Sequence, residues 1–252
     1  MASDGRRHVL AIGGLGGSMA APSPDVPGLI SHALELSGRR APRVCLINTP
    51  MGDDPRVLVR LYSVLSATAA RVTHLELFPM PNVEDPEDQL LSQDVIFVGG
   101  GSVANMVAVW RVHELDRILR AAYQAGIVLS GVSAGAICWF EGGTTDSFGV
   151  RLRPFTAGLG LLKGSYCPHY SSEPARRPAF QSLVADGTLP AGLACDDGAA
   201  AHFVDESLAE IVAGRPEANG YRVEPDGAGG AAETPLPARL LPGARAAAGQ
   251  QT

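Results

Sequence analysis

The chain has 252 residues, 46% of them hydrophobic and 18% charged, and a net charge of −6. That length buries a full core as one large α/β domain or two small ones, and the apolar composition suits a buried parallel sheet. The acidic balance gives no basis for nucleic acid or an anionic membrane as a partner, and no run reaches the roughly 18 apolar residues that span a bilayer.

The N-terminus lacks the h-region and cleavage site of a signal peptide, so a cytoplasmic location is expected. His8 to Ile12 reads as a first strand running into Gly13-Gly14-Leu15-Gly16-Gly17-Ser18. The dinucleotide frame G-x-G-x-x-G fails there, because its last position is Met19 and Pro22-Ser23-Pro24 blocks an immediate helix. A loop in which backbone approaches backbone at the carboxyl edge of a sheet is the better reading.

Val26 to Leu36 then reads as a helix and Arg43 to Asn48 as a buried strand. After Pro55, Leu58, Leu61, Tyr62 and Leu65 fall on one helical face. Val72 to Leu77 alternates as a strand, and residues 79 to 93 form an acidic loop or short helix. Asp94 to Val98 is a further strand, ending in Gly99-Gly100-Gly101-Ser102. Val103, Met106, Val107, Trp110, Leu115, Ile118 and Leu119 have the spacing of one long amphipathic helix, which Gly126 closes. Strand and helix alternate up to this point, which predicts a mostly parallel sheet with helices on both faces.

Ile127-Val128-Leu129 leads into Gly131-Val132-Ser133-Ala134-Gly135-Ala136, a strand, then G-x-S-x-G, then a helix. Small neighbours let the backbone turn sharply and leave the Ser133 hydroxyl exposed at the strand's carboxyl end. The first amides of the following helix face a developing oxyanion. Ala134 and Gly100 are the expected oxyanion donors, with Gly101 the alternative to Gly100. A serine needs a base to take its proton, and the base needs an acid to hold its tautomer. Of six histidines, His169 stands out, where a strand gives way to a loop at Cys167-Pro168-His169-Tyr170, and His202 is the reserve. Glu141 and Asp146, in the loop between serine and histidine, are the candidate acids.

The remaining chain is less regular. Tyr166 to His169 reads as a short strand and Arg177 to Asp186 as a helix, while Ala200–Val204, Leu208–Ala213 and Tyr221–Val223 read as a closing antiparallel set. From about residue 227 the Ala/Gly/Pro-rich sequence carries no periodicity, so residues 1–226 form the expected single domain and 227–252 an expected disordered tail. Cys45, Cys138, Cys167 and Cys195 show no C-x-x-C pair and sit in apolar contexts, as buried thiols do. No metal or cofactor is expected.

Together, Phe97-Val-Gly-Gly-Gly-Ser102, Gly131-Val-Ser-Ala-Gly-Ala136, Thr144-Thr-Asp146 and Pro168-His169 resemble the dipeptidase E (aspartyl dipeptidase) family of serine peptidases, to which cyanophycinase is related. The resemblance covers roughly residues 8 to 225. It implies a sheet like that of class I glutamine amidotransferases, with Ser133 as nucleophile, His169 as base and Asp146 or Glu141 as acid. It also implies hydrolysis of short peptides, especially Asp-X dipeptides, with the aspartate side chain held by an arginine beyond the histidine. Arg176 and Arg177 are the candidates, and Asp197 in Asp196-Asp197-Gly198 is a candidate for holding the substrate's amino group or orienting the active site. The family's usual Gly-Gly-Gly-Asn reads Gly-Gly-Gly-Ser here, and the segment around Arg176 is short. A cyanophycinase-like enzyme or an α/β-hydrolase-type esterase is the alternative, and a non-catalytic binding module on the same scaffold the second. The sequence leaves oligomeric state open, with a homodimer compatible.

Overall fold

The computed structural model describes residues 5–15, 17–18, 21–22 and 26–242. The first half alternates as its sequence predicts. Strands β1 (His8–Ile12), β2 (Gly17–Ser18) and β3 (Ala21–Pro22) precede helix α1 (Val26–Leu36) and β4 (Arg43–Ile47). Then come α2 (Pro55–Leu65), β5 (Arg71–Leu75), α3 (Pro86–Leu91), β6 (Val95–Val98), α4 (Val103–Val112), α5 (Leu115–Gln124) and β7 (Val128–Val132). Beyond the elbow lie α6 (Ala134–Ile137), β8 (Gly142–Thr145), β9 (Arg153–Phe155), β10 (Ser165–Cys167) and α7 (Arg176–Ala185). The chain continues through β11 (Gly192–Cys195), β12 (Ala199–Val204), β13 (Ser207–Ala213), β14 (Gly220–Pro225), β15 (Ala231–Leu236) and β16 (Ala238–Leu240).

An eight-stranded sheet runs β16-β13-β12-β1-β7-β6-β4-β5. Strands β1, β7, β6, β4 and β5 are parallel, and β12 joins β1 antiparallel. Alternate residues of β1 serve opposite faces, as the period of two requires. Val9 and Ala11 pack in the core that α4 and α5 cover, whereas Leu10 and Ile12 pack in the core under α1 and α2. Helices therefore flank the sheet on both sides, and the expected α/β architecture with an antiparallel C-terminal part is the one observed. A second sheet, β15-β14-β11-β10-β8-β9, packs against α7 over a smaller core that includes Tyr170, Phe180 and Val184.

Four expectations need correction. The long helix after Ser102 is two helices, because Glu114 adopts a left-handed φ of 57° and breaks it; no glycine or proline marks the break. The Gly/Thr-rich loop after Glu141 contains a strand, β8, that pairs parallel with β10. The closing antiparallel set is divided, since β12 and β13 extend the main sheet and β14 pairs with β11 in the second. Finally, residues 231–240 of the expected tail form strands. β15 pairs with β14 and β16 with β13, so neighbouring strands supply the order that an Ala/Gly/Pro-rich edge lacks in its own periodicity. Residues 243–252 of that expected tail lie outside the described residues. Among the described residues, no helix is long and apolar enough to cross a membrane.

Candidate active site

Ser133 follows β7 directly and has φ 55° and ψ −111°, a backbone conformation that side chains rarely adopt. The turn closes only because its neighbours are small. A Cβ at Gly131 would overlap the carbonyl of Gly135, and one at Gly135 would overlap the carbonyls of Val98 and Gly99. The Ser133 amide is anchored on Ile12 O at 3.0 Å, which ties the elbow to the end of β1. Gly100, at the end of neighbouring β6, lies so close that an added Cβ would sit 3.4 Å from the Ser133 Cβ. Ala134 opens α6, a helix of only four residues. Gly100 therefore lies against the Ser133 side chain, and Ala134 is the residue that follows it. Ser102 accepts from the Asn105 amide at 3.2 Å and caps α4.

The imidazole comes from the second sheet. His169 follows β10 with φ 54°, and its amide donates to Gly13 O at 3.2 Å. Its Nε2 stands 2.9 Å from Ser133 Oγ. Its Nδ1 stands 2.6 Å from Oδ1 of Asp197, the acidic residue just before β12. Because β12 runs antiparallel to β1, with Ile12 opposite Ala200, its beginning lies at the edge where the parallel strands end. That direction carries Asp197 to the elbow although 64 residues separate them in sequence (197 − 133).

Burial opposes ionisation of Asp197, but the hydrogen bonds from His169 and Ser172 and the charge of Arg215 outweigh it and hold its pKa below the ordinary aspartate value. An ionised Asp197 can only accept, so Nδ1 carries the proton and Nε2 presents its lone pair to the Ser133 hydroxyl. Hydroxyl, imidazole and carboxylate in line form a relay able to take a proton from the serine as it attacks.

Glu141 and Asp146, the two acids expected to orient His169, are engaged elsewhere. Glu141 accepts from the Gly164 amide at 2.8 Å and from Lys163 Nζ at 3.2 Å, and the Gly164 bond leads the effects that lower its pKa. The Asp146 side chain is 60% exposed and stands 3.9 Å from Arg176. Asp197, expected either at the substrate's amino group or as a residue that orients the site, is the carboxylate on the imidazole. The two arginines are also committed within the protein. Arg176 is 3% exposed, donates to Glu173 at 2.7 Å and to Thr144 O at 3.1 Å, and offers little to solvent. Arg177 stacks 4.8 Å from the ring centres of both Tyr170 and Tyr221 and pairs with Glu233 at 3.5 Å. Asp196, next to the relay, is buried and receives the Ser171 hydroxyl, the Asn219 amide and the Tyr221 hydroxyl.

Gly13 and Gly14 carry out the close approach expected of the first glycine loop, and sequence reasoning missed what they approach. A Cβ on Gly14 would overlap the Asp197 carboxylate and lie 2.7 Å from His169 Nδ1. Gly14 O accepts from the Gly198 amide at 2.7 Å, and the two segments form a parallel bridge at Asp197. The loop after β1 therefore clamps both partners of the relay, while Gly16 lies outside the described residues. Cys138 is buried at the end of α6 and its thiol pKa is pushed well up by burial, so it is no rival nucleophile.

A mostly parallel sheet with a serine elbow at its carboxyl edge defines a hydrolase scaffold of the amidotransferase-like type. The model of Peptidase family S51 matches residues 14–211, and the chain belongs to that family of serine-type peptidases. It is 41% identical over 240 residues to the uncharacterised peptidase YgaJ of Bacillus subtilis (strain 168), covering 93% of this chain and 99% of that protein. It is 32% identical over 99 residues to Peptidase E of Shewanella denitrificans, covering 39% and 42% of the two chains. The fold is shared with the crystal structure of a peptidase from an acI-B1 Actinobacterium, with TM-score 0.66, 15% identity and coverage of 92% and 95%. It is also shared with a Peptidase E protein from Listeria monocytogenes EGD-e, with TM-score 0.58, 17% identity and coverage of 82% and 97%.

Proposed function

We propose that this chain hydrolyses short peptides through Ser133, His169 and Asp197. Ser133 Oγ attacks the scissile carbonyl carbon while His169 Nε2 takes its proton. Asp197 holds the Nδ1–H and stabilises the imidazolium. The Gly100 and Ala134 amides receive the oxyanion, a contribution worth roughly 2.7–4 kcal/mol per donor. The imidazolium returns its proton to the leaving amine, and water then releases the acyl group by the same relay in reverse. The observation that carries the reading is the pair of contacts on one ring, 2.9 Å to Ser133 and 2.6 Å to Asp197.

Asp-X dipeptides are the substrate class implied by the resemblance to dipeptidase E and by the similarity to a protein named Peptidase E. With Arg176 and Arg177 engaged inside the fold, the cation for an acidic side chain has to come from elsewhere. We place Arg215 in that role. It packs against Gly198 beside Asp197, and its charge acts on that carboxylate. A guanidinium beside the relay suits carboxylate capture.

The test is a panel of Asp-X and Ala-X dipeptides, β-Asp-Arg and nitrophenyl esters, run with the wild type and Ser133→Ala. Hydrolysis fastest on Asp-X and lost in Ser133→Ala is the expected result. Ester hydrolysis without any dipeptide hydrolysis would overturn the peptidase reading. Arg215→Gln should lower Asp-X hydrolysis far more than Ala-X hydrolysis, collapsing the ratio between them, with a smaller common loss because the Arg215 charge also acts on Asp197.

A further inference from the structure

A second cluster of chemistry-bearing side chains stands apart from the relay, on the side of the main sheet that α1 covers. His202 on β12 faces Leu10 of β1 and Glu210 of β13 directly across the ladder, so its side chain shares their face. His32 comes down onto that face from α1, its ring set edge-on to His202 with centres 5.8 Å apart. One ring nitrogen of each histidine and one carboxylate oxygen of Glu210 lie within 4.8 Å of one another.

Two features distinguish this cluster from an ordinary buried polar contact. His202 is 6% exposed, and its Nδ1 is buried without a hydrogen-bond partner, as is Nε2 of His32. Buried ring nitrogens left unpaired are costly and uncommon. The distance from His202 Nδ1 to Glu210 Oε1 is 3.5 Å, too long for a good hydrogen bond. It is close to the roughly 3.3 Å edge between two ligands that each sit about 2.05 Å from a tetrahedral zinc ion.

We propose that His32, His202 and Glu210 bind a divalent cation of the zinc class, two imidazoles and one carboxylate with a water completing the shell. Nitrogen and oxygen ligands of this kind suit zinc. The outer contacts are also in place. His202 Nε2 lies 3.1 Å from Nδ1 of His8; in the tautomer with the proton on Nε2, His202 donates there and leaves its Nδ1 lone pair for the metal. Arg239 donates to Glu210 at 2.7 Å on Oε2 and 2.8 Å on Oε1. The cation displaces the second contact, and the half-exposed Arg239 keeps the first as a donor to the bound carboxylate. Sharing one ion requires the His32 ring to move inward from that spacing of up to 4.8 Å. The bound ion ties α1 to β12 and β13, a structural role separate from Ser133.

The test uses the full, untagged chain stripped of metal with a chelator and titrated with Zn²⁺ by calorimetry, with Co²⁺ as a spectroscopic substitute. One equivalent should bind, with a ligand-field band of imidazole–carboxylate coordination. Saturation at about 100 times Kd should raise Tm by about 5–10 °C. His32→Gln and His202→Gln should each weaken binding at least about 100-fold, beyond what losing an outer partner causes. Ser133→Ala and His169→Ala should retain it, and Arg239→Gln should lose no more than the roughly 10–100-fold of an outer partner. Should His202→Gln not fold, His32→Gln on the outer helix carries the comparison. No binding, or binding that survives His32→Gln and His202→Gln or vanishes in His169→Ala, would overturn the proposal.

Discussion

Gly14→Ala tests the clamp on the relay with a single methyl group. The φ of Gly14 lies outside the left-handed region, so alanine is acceptable to the backbone and only the new contact matters. That methyl would lie 2.7 Å from both the Asp197 Cγ and the His169 Nδ1, where ordinary contact is about 3.5–4.0 Å. The Asp197 carboxylate oxygen is nearer still, so the carboxylate must retreat by more than about 1 Å and the imidazole by about 1 Å, which breaks the present 2.6 Å bond between them. A misplacement of that size costs about 10²-fold, and loss of the orienting carboxylate costs up to about 10⁴-fold. The expected fall in kcat is thus about 10²–10⁴, or roughly 3–5 kcal/mol of barrier, with KM little changed. Dipeptide hydrolysis by Gly14→Ala, Asp197→Ala and the double variant forms a cycle. Since Asp197→Ala removes the nearer of the two groups that the methyl strikes and leaves only the contact with His169, Gly14→Ala should cost less in that background. Wild-type kcat in Gly14→Ala, or equal costs in both backgrounds, would refute the reasoning.

Asp197→Asn should lower kcat about 10⁴-fold while Glu141→Gln and Asp146→Asn stay within a few fold of wild type, as steady-state kinetics would read. Burial pushes Cys45, Cys167 and Cys195 up to about 12 and Cys138 also well up, so a thiol reagent at pH 8 should label none of the four in the native protein and all four after denaturation. Asp94 tests acid stability. Its burial raises the pKa, but the Arg43 amide and the Arg43 and Arg39 guanidinium groups prevail and hold it below the ordinary value. The unfolded chain then binds the proton first, so the stabilisation is present above about pH 4 and is lost as pH falls through the folded pKa. Asp94→Asn should lower Tm at pH 7, with the difference from wild type shrinking in scans at progressively lower pH.

The parallel half of the fold was legible because its central strands β1, β4, β6 and β7 are buried almost throughout, β5 alternates, and the helices carry an apolar stripe. The elbow was legible for a local reason, since every residue that makes the turn lies within six positions of sequence. Asp197 was harder. The acid was sought between Ser133 and His169, yet it arrives on a strand whose antiparallel direction returns it to the elbow, and only strand order reveals that. The Asp196-Asp197-Gly198 turn just before a strand at the same edge was the available signal. Gly14 was visible as part of a close-approach loop, but its target belongs to segments more than 150 residues away. The edge strands β15 and β16 escaped notice because their order comes from partners and not from their own hydrophobic pattern.

The central claim is that His169, held by Asp197, activates Ser133, and covalent labelling reads that activation directly. Wild-type protein treated with a fluorophosphonate and mapped by peptide mass spectrometry should carry one adduct on Ser133, with labelling abolished in Ser133→Ala and strongly slowed in His169→Ala and Asp197→Asn. An adduct on another residue, or unchanged labelling of Ser133 once His169 is replaced, would contradict the account.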